Sequence, residues 1–135
     1  MEPWIQTAES ATLDRLEPLA ALGYRVERVP SGQPASKARI FCYYAGSTFA
    51  EPQLLQTLSQ DETVQFQLIL EFRDARGPKS AYPALWEIER LLTGFQPLGQ
   101  GKIRFQSQQL SELDEGLWAY TIRVAFDRER QQQRV

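Results

Sequence analysis

Histidine is absent from this chain of 135 residues, and cysteine occurs once, as Cys42. Without histidine the commonest general base and the commonest zinc ligand are missing. With a single cysteine no internal disulfide can form, so a disulfide-stapled scaffold is excluded. A His-based or Cys-rich metal site cannot be assembled from one copy either. Basic excess is also lacking: the net charge is −2. A stripe that neutralises nucleic-acid phosphates, or a polybasic membrane contact, is not expected from such a balance. No apolar run approaches the length that spans a bilayer. The first residues, Met1-Glu2-Pro3-Trp4, show neither a basic n-region nor an apolar h-region, so no signal peptide is expected.

What is present is ordinary globular composition, 42% hydrophobic and 24% charged, in a length that suits one domain. Residues 8–22 place Leu13, Leu16, Leu19, Ala20 and Leu22 at roughly helical spacing, with Pro18 expected to kink the helix or set its second half apart. Gly23 stands where a helix-ending glycine belongs. Residues 24–29 alternate as a half-buried strand, and residues 30–34 read as a loop. Residues 38–45 form a strand that is apolar on both faces from Ile40 to Tyr44, with Cys42 as a buried, inert thiol. Residues 48–62, rich in Gln and Ser and holding Pro52, read as a long loop. The clearest strand is 63–73, with Val64, Phe66, Leu68, Leu70 and Phe72 on one face.

A turn at 74–79 leads to a helix over 80–93, striped by Ala81, Leu85, Ile88 and Leu92, with Pro83 in its first turn and Gly94 after its end. A loop at 95–101 precedes a strand over 102–110. Asp114-Glu115-Gly116 then turns into a strand over 117–127. The pattern predicts an α+β fold: a mostly antiparallel sheet of four to five strands with two helices packed on one face. One domain is expected over 1–127, followed by a polar, frayed tail over 128–135.

A search for chemistry finds no site. Glu87 and Glu89 face different directions on their helix, and Asp61-Glu62 and Asp114-Glu115 read as solvated pairs. No Gly-x-Ser-x-Gly occurs. The run 94–102 follows a helix and enters a strand, the reverse of a phosphate-binding loop. Tyr43, Tyr44, Trp86, Trp118 and Tyr120 read as core rather than as a stacking platform. The expectation is a non-enzyme with no catalytic, metal or cofactor residues. Apolar residues on the second face of the 40–44 strand would mark a protein contact.

One ordered set of residues resembles a known family. Tyr44-Ala45-Gly46-Ser47 closes a strand, and the alternating Val64–Phe72 strand ends in Arg73. Gly77 precedes Tyr82-x-x-Leu85 on a helix that ends Leu91-Leu92-Thr93-Gly94-Phe95-x-Pro97. Gly116-x-Trp118-x-Tyr120 opens the final strand. Over about residues 10–127 this order is similar to the Mu-like phage tail terminators, small proteins of long-tailed phages and related contractile particles. The resemblance implies a homohexameric ring at the head-proximal end of the tail tube, where it stops tube growth and joins the head connector. Implied partners are other copies of the chain, the tail tube protein, the sheath protein of contractile tails and the connector. DNA would only pass through the lumen, and no membrane is involved. Assembly in the host cytoplasm and residence in the virion neck follow. Candidate contacts lie in and beside the long loop and the two turns: Tyr44, Ser47, Phe49, Gln53, Leu54, Arg73, Arg76, Gln96, Leu98 and Lys102. The alternatives are a small non-enzymatic ligand-binding or regulatory domain, or a neighbouring head–tail joining protein.

Overall fold

The computed structural model describes residues 4–28, 38–50, 53–54, 57–74 and 76–133. Helix α1, Trp4–Arg15, is followed by a 3-10 turn, Glu17–Leu22, and a two-residue strand β1, Arg25–Val26. Then come β2 (Arg39–Phe49), β3 (Gln53–Leu54), β4 (Thr57–Arg73), a 3-10 turn (Pro78–Ala81), helix α2 (Tyr82–Leu92), β5 (Arg104–Asp114) and β6 (Leu117–Gln133). The expected loop over 30–34 lies outside the described residues.

Pro18 does what its missing N–H requires: the α-helix stops at Arg15 and the chain continues as a 3-10 turn with proline in its first positions. Gly23, at φ 90°, then turns the chain toward the sheet in a conformation that a Cβ would disfavour. The sheet runs β1-β2-β4-β6-β5, with β3 paired to β4. Every pairing is antiparallel except β1 with β2.

Period-2 alternation sets the register. Val64, Phe66, Leu68, Leu70 and Phe72 of β4 are buried, as are Ile122, Val124 and Phe126 of β6, which face Leu68, Phe66 and Val64 across the ladder. Over them lie Leu13, Leu16 and Leu19 from the N-terminal segment and Ala84, Ile88, Leu91 and Leu92 from α2. Leu85, Trp118 and Tyr120 pack on this core half-buried. The α+β class, with its helices on one face, is therefore the observed one. Cys42 is buried in this layer, and burial pushes its thiol pKa well up, with Glu9 adding to the effect.

Two sequence expectations fail. Residues 48–62 are not a long loop. β2 runs on to Phe49, β3 adds a short strand, and β4 begins at Thr57. Residues 128–133 of the expected frayed tail are strand, because β6 continues to Gln133 in unbroken register with β4, ending with Thr57 opposite Gln133; the last two residues lie outside the described ones. Both stretches lack apolar alternation, so their ladder rests on backbone hydrogen bonds, which composition does not reveal.

Candidate protein interface

The expected contact residues separate into three groups. At one end of the sheet Arg73 closes β4 opposite Leu117. Its Nη1 donates to the Glu115 carbonyl at 3.4 Å. Nearby, the Arg76 guanidinium donates to both oxygens of Asp74, at 3.2 and 3.1 Å, and the Arg76 amide donates to the same carboxylate at 2.8 Å. These bonds hold the Asp74 pKa down at about 2, the side-chain bond from Arg76 being the largest cause. A shallow, open depression of about 470 Å³ lies here, lined by Arg73, Asp74, Glu112, Glu115, Gly116 and Trp118. Trp118 Nε1 closes its floor by donating to the Asp74 carbonyl at 3.2 Å.

At the opposite end, Tyr44 and Ser47 turn inward. Residues three apart on a regular strand point to opposite faces. A bulge between Tyr44 and Gly46 changes the count, so that Tyr44 pairs with Phe66 and Ser47 with Val64, both on the helix side. The two hydroxyls then meet at 2.5 Å, and Ser47 Oγ donates to Glu62 Oε2 at 2.6 Å. Glu62, expected as a solvated loop residue, is only 3% exposed. Its other oxygen accepts Arg128 Nη1 at 3.0 Å. The Arg128 guanidinium also sits 4.1 Å over the Trp4 ring, and Trp4 meets Tyr44 edge-on at 5.8 Å. Tyr44 and Ser47 are therefore parts of an internal network that fastens the start of α1 to the sheet.

Phe49, in contrast, stands 49% exposed at the end of β2. Gln53 and Leu54 form β3, opposite Ser59 and Leu58. The third group is the 94–102 connection. Gln96 and Lys102 are exposed there, while Leu98 packs against the core. The Gly94 amide donates to the Ile103 carbonyl at 3.0 Å. Gly101 passes so close to Asp127 that a Cβ would strike its carbonyl. The proximity places this connection at the same end of the sheet as Phe49, away from Arg73 and Arg76.

The open face of the sheet carries its own polar cluster. Arg39, 3% exposed, donates from Nε to Glu71 at 3.1 Å and from Nη1 to Glu27 at 2.9 Å. Its guanidinium lies 4.9 Å over the Phe41 ring. Phe41 and Tyr43 lie on this same face. Phe41 is half-buried, but Tyr43 is 42% exposed, so it is not the core residue expected.

Trp86 is the larger correction. It is not core but 64% exposed, and Tyr82, one turn earlier on α2, is 52% exposed. Tyr82 lies close to Tyr120, whose hydroxyl pKa is raised by burial and, secondarily, by Tyr82. Leu110, the β5 partner of Tyr120, is 42% exposed, and Leu113 nearby is 52% exposed. A patch of aromatic and aliphatic side chains thus borders β5. The signal was in the sequence: Tyr82 and Trp86 are four apart and fall off the Ala81-Leu85-Ile88-Leu92 stripe. Among the described residues no three His, Cys, Asp or Glu side chains gather as a metal site. Among them, too, no helix is long and apolar enough to cross a membrane.

A family model described as Gp37 protein matches residues 22–132. The chain belongs to the Gp37 protein family. Among solved structures, the Gp37-family chain is similar to a chain in the virion of a native gene transfer agent particle. The TM-score is 0.59 and the identity 14%, over 90% of this chain and 94% of that one. The likeness is one of fold. No curated protein matches.

Proposed function

We propose that this Gp37-family chain is a structural protein of a phage-like virion, and that within the particle it terminates the tail tube. Copies of the chain form a ring, six by the resemblance, at the head-proximal end of the tube. There the ring stops polymerisation and offers its other side to the head connector. The observation that carries the reading is the fold shared over nearly the full length of both chains with a component of an assembled virion. Family membership and the ordered strand, turn and helix residues of the terminator resemblance support it.

The surface suits such work. A ring of identical copies needs two different patches that meet head to tail. Exposed aromatics at one border of the sheet and exposed Phe49 on β2 supply apolar area at separate places. The particle-level test is to remove the chain from an assembling system and measure tube length by electron microscopy. Tubes of uncontrolled length without heads attached support termination. Tubes of normal length, with joining alone lost, would assign the chain to the head–tail joint instead.

A further inference from the structure

The two borders of the sheet are built unequally. On one side β5 has no strand beyond it among the described residues, and ten of its 11 residues are exposed, with Phe105 half-buried. A long edge of this kind is a template for pairing unless something guards it. Proline and lysine, the usual guards, are missing from β5, whose middle reads Gln106-Ser107-Gln108-Gln109-Leu110-Ser111. Bulges interrupt it only near its ends, between Phe105 and Ser107 and between Glu112 and Asp114.

On the other side β1 covers only Arg39 and Ile40 of β2. The Tyr44 amide points away from β4 and donates to Glu9 Oε2 at 2.9 Å. The outer edge of β2 beyond that point, residues 45–48, has no strand against it among the described residues.

We infer that β5 of one copy pairs antiparallel with residues 45–48 of β2 in the next, so that the sheets of neighbouring copies join. The inference rests on the ring reading above. Opposite edges of one sheet are different surfaces, so the contact is head to tail and repeats around a ring. Direction follows from the fold. The sequence β2-β4-β6-β5 alternates at each step, so β5 runs opposite to β2 of its own chain. A ring axis lying along the strands keeps the neighbour's β2 in the same sense.

Charge selects the same direction. Exposed Glu112, Asp114 and Glu115 cluster at the end of β5, and exposed Lys102 and Arg104 stand at its start. Antiparallel pairing brings the acidic end to the neighbour's β1, where Arg25 has a side chain 68% exposed. It also brings Lys102 and Arg104 toward the neighbour's exposed Asp61, beside Ala50. Parallel pairing would set acid against acid and base against base, at a cost. Tyr82, Trp86 and Leu110 border β5 on the helix side, the side on which Phe49 of β2 lies by register. Tyr and Trp are the side chains that most often anchor such contacts.

The test is cysteine cross-linking between copies of the full chain. Thr48→Cys protein is mixed with Ser107→Cys, Gln109→Cys or Leu113→Cys protein under mild oxidation. Buried Cys42 stays in place, and each single variant alone serves as control. Bridging needs Cα atoms within about 7 Å, so only facing residues respond. Expected is a heterodimer of Thr48→Cys with Ser107→Cys or Gln109→Cys, and none with Leu113→Cys. The doubly substituted chain should then give a ladder ending at the ring. Trp86→Ala should leave the circular dichroism unchanged and weaken association about tenfold or more. Bridging through Leu113→Cys, or none through β5, overturns the inference. If closed rings still form in that case, the ring reading stands and the contact lies elsewhere. If the chain also stays monomeric by mass, both readings fail.

Discussion

Glu62 and Arg128 sit opposite each other on β4 and β6, and the arginine Nη1 donates to the carboxylate at 3.0 Å. The pair is enclosed, with side-chain exposures of 22% for the arginine and 3% for the glutamate. Ser47 satisfies the second oxygen, and the Trp4 ring lies under the guanidinium. Removing one member leaves a buried charge without its partner. Arg128→Ala should therefore cost about 3 kcal/mol, the low end of the ~3–5 kcal/mol range for broken buried pairs. Ending the chain after Asp127 should cost at least as much, because it removes the same arginine. Urea unfolding of both variants decides the matter. Losses below about 0.5 kcal/mol would mean that the 128–133 segment is an ornament after all.

Leu70 is fully buried between its β2 and β6 neighbours, opposite Ile40 and Tyr120. Leu70→Ala should cost about 2–5 kcal/mol, through lost transfer energy and the cavity left behind. Gln67, three residues earlier, faces the other side, where its amide donates to Tyr43 Oη at 2.6 Å. Gln67→Ala should stay within about 1.5 kcal/mol, because its bonds to Tyr43 and Arg123 are both solvent-exposed. Equal losses at the two positions would contradict the register.

How much of this was legible in the sequence differs from strand to strand. Val64 to Phe72 announces itself because one face is buried and the other wet, and the same alternation marks Trp118 to Phe126. The 3-10 turn after α1 was legible from Pro18 alone. The strands at 57–62 and 128–133 were not, because the composition of TLSQDE and RERQQQ matches that of loops while the backbone ladder holds them in place. The Glu62 network was hidden for a related reason. Its members are scattered over Trp4, Tyr44, Ser47, Glu62 and Arg128, and only the bulge before Gly46 turns Ser47 to the right face. Of the expected contact residues, Phe49, Arg73, Arg76, Gln96 and Lys102 do lie at the surface. The exposed helix pair Tyr82 and Trp86 was readable, since the stripe that buries α2 passes them by.

Asp74 supplies a pH dependence with a definite sign. Its folded pKa is held at about 2 by Arg76, below the ordinary carboxylate value of about 4. A depressed carboxylate contributes stability that is fully present above the unfolded value and is lost as pH falls through the folded one. The contribution should therefore fade between about pH 4 and pH 2. Asp74→Asn should flatten the stability curve in that window: it should be less stable than the parent at neutral pH, where the contribution is fully present, and indistinguishable from it below about pH 2. Carboxyl titration by NMR gives the direct measurement: a midpoint near 4 for Asp74 would show that the Arg76 contact does not persist in solution.

Trp86 offers an optical handle on assembly. Trp4 and Trp118 are half-buried, whereas Trp86 stands 64% exposed. In the isolated chain the most quenchable tryptophan fluorescence should therefore come from Trp86, and Trp86→Phe should remove most of the acrylamide-sensitive fraction. If the border of β5 meets a neighbouring copy, the same emission should shift to the blue and resist acrylamide when rings form. The change must follow protein concentration with the same midpoint as the mass, because one equilibrium governs both. Phe49→Ala should move both midpoints to higher concentration without altering the isolated chain's spectrum, since residue 49 lies on the opposite border of the sheet. Rings that form while Trp86 stays fully quenchable would place this aromatic patch outside the contact between copies, free for the tube or the connector.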